Sequence, residues 1–242
     1  MNSYRHSYTV EDNEVDCFGY LKPSMLLFYA QDMAGRHCVE LGVDYDTMAA
    51  KRLFWAVIRH RVQISRMPRQ GEKLTLETWP MPTTRVAYPR ATVCYDEAGQ
   101  EVFRIISLWV IMNLDTRAMI LPGKSGIDVV GLCKGTELAP PASLAPAVTE
   151  NRKTRTVRYS DLDQNGHMNN CRCLGWAAQL LEKPLAECRE FTVCYYSEAL
   201  KGEELQLTYA PLDGNVIQVD AVRIGQEMSA GHNRVFSVRM QF

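Results

Sequence analysis

No stretch of this 242-residue chain carries 18 or more consecutive apolar residues, so no segment reads as a membrane-spanning helix. The opening residues, Met1-Asn2-Ser3-Tyr4-Arg5-His6, have neither the apolar core of a signal peptide nor the Ser/Arg-rich length of a transit peptide. They run straight into strand-like sequence, and the expectation is a cytoplasmic protein with no membrane association. An excess of one charge is also missing. Lys and Arg number 27 against 28 Asp and Glu, a net charge of −1, which argues against a chain-wide grip on nucleic acid. Paired cysteine motifs are absent too. Cys17, Cys38, Cys94, Cys133, Cys171, Cys173, Cys188 and Cys194 are scattered, with no C-x-x-C, and Cys171-x-Cys173 has no second pair at metal-site spacing. They read as small apolar residues of a reducing compartment, with no bound metal.

What charge there is falls unevenly. Between Lys51 and Arg90 stand Lys51, Arg52, Arg59, Arg61, Arg66, Arg69, Lys73, Arg85 and Arg90 against only Glu72 and Glu77. Arg152, Lys153, Arg155 and Arg158 form a second run. Such stretches suit either a solvated strand face or a landing patch for an acidic partner.

The chain repeats itself. Asp16-Cys17-Phe18-Gly19-Tyr20 leads into helical periodicity from about Ser24 to Leu41, with Ser24 as the expected N-cap and Leu26, Tyr29, Ala30 and Met33 on one face. Strand patterns follow at about 55–66, 72–80, 84–95 and 101–113. In the second half Asp163-Gln164-Asn165-Gly166-His167 leads into a helix expected from Asn170 to Glu182, with Leu174, Ala177, Ala178 and Leu181 as its stripe. Strand patterns recur at about 189–197, 203–212, 215–223 and 233–242, with Asp213-Gly214-Asn215 as a hairpin turn. Val62 through Leu74 aligns with Val193 through Leu205, so that Gly71-Glu72 falls on Gly202-Glu203 and Met67 on Glu198. Asp16 and Gly19 fall on Asp163 and Gly166 with a different offset. A long helix followed by about four antiparallel strands, made twice, predicts an α+β fold in which each half is a helix wrapped by a curved antiparallel sheet. The halves are expected at 1–121 and 151–242. The stretch 122–150, with Pro122, Pro140, Pro141 and Pro146 and no period, is expected as a linker.

The densest polar cluster is Tyr159 to Asn170, which includes Asp161, Asp163, Asn165, His167, Asn169 and Asn170. A helix start offers free backbone N–H groups that can polarise a carbonyl oxygen. Nearby Asp, Asn and His can position and deprotonate water. A polar turn whose Asn169 or Asn170 caps a helix needs the same residue types. The repeat bears on the choice, because Phe18 and Tyr20 stand where the second half has Asn165 and His167. One chemical copy and one apolar copy point to one active half and one degenerate half. Glu198, with Met67 opposite it in the repeat, is the acid expected to partner His167.

These residues resemble the acyl-acyl-carrier-protein thioesterases, the plant plastid enzymes and their bacterial relatives. The resemblance rests on Ser160-Asp-Leu-Asp-Gln-Asn-Gly-His-Met-Asn-Asn170 with Gly175-Trp176. It rests also on Trp55-x-Val57-x-Arg59, on Arg66-x-Pro68-x-x-Gly71-Glu72 with Glu77-Thr-Trp79, and on Ser107-x-Trp109-Val110-x-Met112-Asn113-x-Asp115-Thr116-Arg117. Together these run from about Tyr8 to the C-terminus. The resemblance implies a tandem hotdog fold and hydrolysis of fatty acyl thioesters on acyl carrier protein, with no cofactor. It implies Asp163, Asn165, His167 and Glu198 as the catalytic set. The sequence departs from the plant pattern at Ala199, where those enzymes commonly carry a cysteine once proposed as nucleophile, so a Cys-His mechanism is not expected. The absence of a plastid extension fits a bacterial enzyme.

The acyl chain is expected in a tunnel between the first helix and its sheet, lined by Met25, Leu26, Tyr29 and Met33. Backbone N–H groups beyond His167 are expected to hold the thioester oxygen, with Asp163 attacking directly or through water. Acyl-CoA hydrolysis and a non-catalytic acyl-binding role on the same scaffold stay open, as does the choice between monomer and homodimer.

Overall fold

The structure is a computed structural model that describes residues 2–181, 185–224 and 233–242. It divides into two compact units, Met1–Pro141 and Ala142–Phe242.

The first unit opens with strand β1 (Tyr4–Thr9) and a 3-10 turn (Asp12–Glu14), then helix α1 (Pro23–Glu40) and a short helix α2 (Tyr45–Ala50). Strands β2 (Leu53–Ile64), β3 (Lys73–Pro80), β4 (Tyr88–Tyr95) and β5 (Glu101–Asn113) follow, with a two-residue strand β6 (Met119–Ile120). They pair antiparallel in the order β1-β3-β4-β5-β2, and β6 pairs with the end of β5. Helix α1 packs on β1 and β3. Leu26, Leu27 and Met33 are fully buried, each contributing about 1.5–3 kcal/mol of transfer free energy. The cap lies two residues before the expected Ser24. Pro23 sits at N1, where its missing N–H costs nothing, and Lys22 is the cap residue without a side-chain bond.

The second unit holds strand β7 (Arg152–Thr156), a 3-10 turn (Tyr159–Asp161), helix α3 (Asn170–Ala178) and strands β8 (Glu190–Tyr195), β9 (Glu204–Leu212), β10 (Val216–Arg223) and β11 (Arg234–Gln241). The sheet order is β8-β11-β10-β9-β7, again antiparallel, and α3 packs on β11. Each unit is thus a hotdog-type arrangement of helix on antiparallel sheet, as expected.

Helix α3 is shorter than expected. Leu180 and Leu181 donate to the carbonyls of Ala177 and Ala178, three-residue turns that wind the chain out of the helix. Glu182, the expected end, lies outside the described residues. Leu174 and Ala177 are buried as expected, joined by Cys171, Cys173 and Trp176, while Ala178 and Leu181 are only half-buried.

The segment 122–150 carries no helix or strand, and its two parts behave differently. Leu132 N–H donates to the Pro80 carbonyl at 2.8 Å, and Trp79 Nε1 donates to Glu137 at 3.0 Å. Lys134 lies 4.3 Å over the Trp79 ring and pairs with Glu77. A Cβ on Gly131 would meet the Pro82 nitrogen at 2.2 Å, so only glycine fits there. This part is stitched to β3. From Ala142 the chain is held by the second unit: Gln218 donates to the Ala145 carbonyl at 2.7 Å, and Ala147 N–H to Asp220 at 2.9 Å.

Candidate active site

The polar cluster forms a closed turn at the entry to α3. Asp163 N–H donates to the His167 carbonyl at 2.9 Å, and Gly166 N–H returns to the Asp163 carbonyl at 3.1 Å. The Asp163 carboxylate closes the turn from inside, accepting the Asn165 N–H at 2.8 Å. Gly166 takes φ +79°, a conformation that favours glycine. The chain then crosses to the segment after β8, where Met168 N–H donates to the Ala199 carbonyl at 2.8 Å and His167 lies opposite Leu200.

That crossing brings His167 to Glu198. His167 Nε2 lies 3.4 Å from a Glu198 carboxylate oxygen, with the imidazole 15% exposed and the carboxylate 46%. The imidazole is largely shielded while the glutamate keeps contact with solvent. Glu198 sits in the loop after β8, which ends at Tyr195 rather than running on to Ser197. The loop is fixed from below. Arg223 donates to the Glu198 carbonyl at 2.6 Å and pairs with Glu203 at 3.0 Å, while Glu203 accepts the Leu200 N–H at 3.0 Å. Sequence reasoning misses both Arg223 and Glu203; the repeated Gly-Glu of 71–72 and 202–203 is the available signal for the latter. Cys194 is excluded from the site: it is buried and its thiol faces the Ala142 carbonyl at 3.6 Å.

The donors expected beyond His167 are mostly engaged. Met168 and Asn169 N–H serve the Ala199 and Asp161 carbonyls, Cys171 N–H is capped by the Asn169 side chain at 2.9 Å, and Arg172 N–H donates to the Asn169 carbonyl. Among the described residues this leaves Asn170 N–H, at the first position of α3, as the donor without a partner in that stretch. Among the same residues the His167 N–H is likewise unengaged. The oxyanion expectation therefore narrows from the helix start as a whole to these two groups.

The residues expected to line an acyl tunnel lie together on α1. Leu26 and Met33 are fully buried, Tyr29 nearly so and Met25 half-buried. Tyr29 stacks on Tyr8 with ring centroids 4.6 Å apart and donates to Glu14 at 2.6 Å. Its phenol is pushed well above the usual range, first by burial and then by the Glu14 hydrogen bond.

Much of the positive charge of 51–90 is engaged within the first unit. Arg66 pairs with Glu72 and Asp96, Arg52 with Asp115, Arg69 with the Tyr20 hydroxyl, and Arg90 is buried. In the second basic run Arg152 and Lys153 are exposed on β7, which among the described residues pairs only with β9 and so forms a sheet edge in its unit.

Comparison with known proteins bears on what this arrangement is. The model described as acyl-ACP thioesterase N-terminal domain matches residues 1–121, and that described as acyl-ACP thioesterase C-terminal domain matches residues 145–238. A chloroplastic palmitoyl-acyl carrier protein thioesterase of Gossypium hirsutum is 25% identical over 241 residues, covering 92% of this chain and 58% of its own. A chloroplastic oleoyl-acyl carrier protein thioesterase of Coriandrum sativum is 27% identical over 207 residues, covering 78% and 56%. The chain thus spans a little over half the length of these curated relatives. Among solved structures, an acyl-ACP thioesterase from Bacteroides thetaiotaomicron superposes with TM-score 0.86 at 24% identity, over 100% of this chain and 98% of that one. The 12:0-ACP thioesterase from Umbellularia californica gives 0.81 at 21%, over 100% and 97%. At these identities the superpositions establish the fold.

Proposed function

Since the chain belongs to the acyl-ACP thioesterase family, we propose that it hydrolyses the thioester of a fatty acyl-acyl carrier protein, with the reaction centred on Asp163, Asn165, His167 and Glu198. The observation that carries this reading is the His167–Glu198 contact, built on a turn that the first half copies without its imidazole or its acid. Glu198 orients the imidazole towards the reacting groups. A water molecule attacks the thioester carbonyl as its proton passes to His167. The charge that develops on the carbonyl oxygen is met by the Asn170 and His167 N–H groups. Collapse breaks the C–S bond, and the proton held by His167 passes to the departing thiolate, leaving fatty acid and free carrier protein.

Asn165 orients the water or the carbonyl. Asp163 holds the turn through one carboxylate oxygen and faces the reacting water with the other. An acyl adduct on Asp163 under single-turnover conditions would replace this role with direct attack. The acyl chain occupies the space between α1 and its sheet, past Met25, Leu26, Tyr29 and Met33. The exposed cations of β7 offer the acidic carrier protein a docking edge. A cytoplasmic setting belongs to the same proposal.

The deciding experiment is fatty acid release from a panel of acyl carrier protein thioesters by wild type and Asp163→Asn, which keeps an oxygen acceptor for the turn while removing the charge. Release by wild type that falls at least ~100-fold in the variant supports the reading. Release from acyl-CoA alone moves the substrate class, and no release from either leaves a binding protein.

A further inference from the structure

Charged groups buried in the two units are compensated differently. In the second unit Asp220 is buried and heavily bonded: Arg234 and Gln218 donate to it at 3.0 Å each, Ala147 N–H at 2.9 Å, and Ser237 adds a hydroxyl. That charge is matched and serves to anchor the chain. In the first unit two charged side chains are buried: Glu77, 5% exposed, is matched by Arg5 and Lys134, whereas Arg90, 7% exposed, has no carboxylate paired with it among the described residues. Its guanidinium donates to His37 Nδ1 at 3.0 Å and to Thr78 Oγ1 at 3.3 Å, and the Thr92 hydroxyl donates to Thr78 at 2.9 Å. The Cys38 thiol is a further neighbour. The nearest compensation is the negative end of α1, to whose last turn His37 belongs. A helix terminus offsets only a small part of what burying a full charge costs.

The register shows where this charge lies. Arg90 on β4 is opposite Ser107 on β5, which is opposite His60 on β2, and His60 bonds Ser107 at 2.8 Å. One row over, Thr78 is opposite Thr92, which is opposite Ile105. Two residues further along the same face come Leu76, Cys94 and Phe103, all fully buried. The face under α1 is therefore apolar at one end and closed by a belt of buried polar groups at the other. Beyond the belt a separate apolar cluster begins, built on Val43, Met48, Tyr88 and Ile111. On α1 the same passage runs from Leu26 and Met33 to His37.

We propose that this belt, with Arg90 at its centre and Thr78, Thr92 and His37 around it, is the floor of the acyl pocket and sets the longest hydrocarbon chain the protein accepts. The inference rests on the reading of the space under α1 as the acyl site. A methyl end that reaches the belt must strip the remaining hydration from an uncompensated guanidinium, so affinity gained with each carbon stops there. Replacing Arg90 by methionine keeps the length of the side chain, removes the charge and joins the two apolar regions.

The test measures binding of saturated fatty acids of increasing length by displacement of a fluorescent fatty acid, beside hydrolysis of the same lengths on acyl carrier protein. In wild type, affinity should climb about fourfold per methylene and then break off. In Arg90→Met the break should move to chains at least ~2 carbons longer, the methylenes past the old limit now being buried in apolar surroundings. An unmoved break overturns the proposal, as does failure of every fatty acid to bind. A second arm needs no variant. In wild type, a terminal hydroxyl on the first chain beyond the break should restore affinity on the order of tenfold by bonding the guanidinium, and no restoration overturns the proposal. Hydrolysis with an unmoved break sinks the floor alone. A break that moves, without hydrolysis of any substrate, sinks the thioesterase reading alone.

Discussion

The turn before α1 and the turn before α3 share a backbone and part company in their side chains. Asp16 N–H bonds the Tyr20 carbonyl at 2.8 Å and Asp163 N–H the His167 carbonyl at 2.9 Å; Gly19 and Gly166 take φ of +78° and +79°. Leu21 and Met168 both cross to a carbonyl of the neighbouring loop, at 2.8 Å each. Yet the first turn is saturated. Asp16 accepts N–H bonds from both Phe18 and Tyr20, at 2.9 and 3.0 Å, whereas among the described residues Asp163 accepts the one from Asn165. Where Asn170 presents a free N–H, the first half has Pro23, which has none. Where His167 meets Glu198, Tyr20 meets the Arg69 guanidinium, 4.2 Å over its ring. The fold needs the carboxylate and the glycine in both copies. Only the second copy keeps an imidazole, an acid and unengaged donors together, and those are the groups that chemistry needs and architecture does not.

The broadest way to break this comparison is to write the first turn into the second. Asn165→Phe with His167→Tyr should leave the fold intact and lower kcat/KM by at least ~1,000-fold, since base and orienting amide go together; unchanged fatty acid release would dissolve the distinction between the halves. Asn170→Pro sharpens it. Pro23 shows that proline is accepted at the first position of this helix, so the thermal midpoint should hold, while loss of the donor should lower kcat by about 100-fold.

The smallest effect concerns the histidines. His60, fully buried in the first half, has its pKa pushed down by burial to about 3, from an ordinary 6.5. The unfolded chain takes up that proton before the folded one does. Stability is thus complete above pH 6.5 and declines as pH falls from 6.5 towards 3, by about 2 kcal/mol at pH 5. Denaturant midpoints at pH 7.5 and 5 should show this loss, and His60→Gln should remove most of it.

How legible all this was depended on which side of the chain faced water. Strand 101–113 was readable to the residue because both its faces are apolar and the flanking Asp96-Glu-Ala-Gly99 turn and Asn113 bound it. Strand β7 shows in sequence only as a run of charge, because as an edge with exposed residues it carries no apolar alternation. Helix α2 is too short to show a period in sequence, although Asp44, which accepts the Thr47 N–H at 2.8 Å, is a readable cap. The polar turn was legible as a cluster because its residues are adjacent in sequence. What sequence could not convey was occupancy: which N–H groups are already engaged, and that Arg223 and Glu203 hold the loop bearing Glu198, follow only from strand register.

Gly131 carries a consequence for how this chain can lengthen. Its backbone lies so close to Pro82 that no side chain fits between them, and Leu132, Lys134 and Glu137 fasten the same stretch to β3. The proline-rich connection is therefore no elastic tether. Insertions and deletions accumulated during divergence should concentrate after Pro141. A chain divided to separate the halves should be cut there too, since a cut at residue 121 would strip the first half of its own outer binding strap.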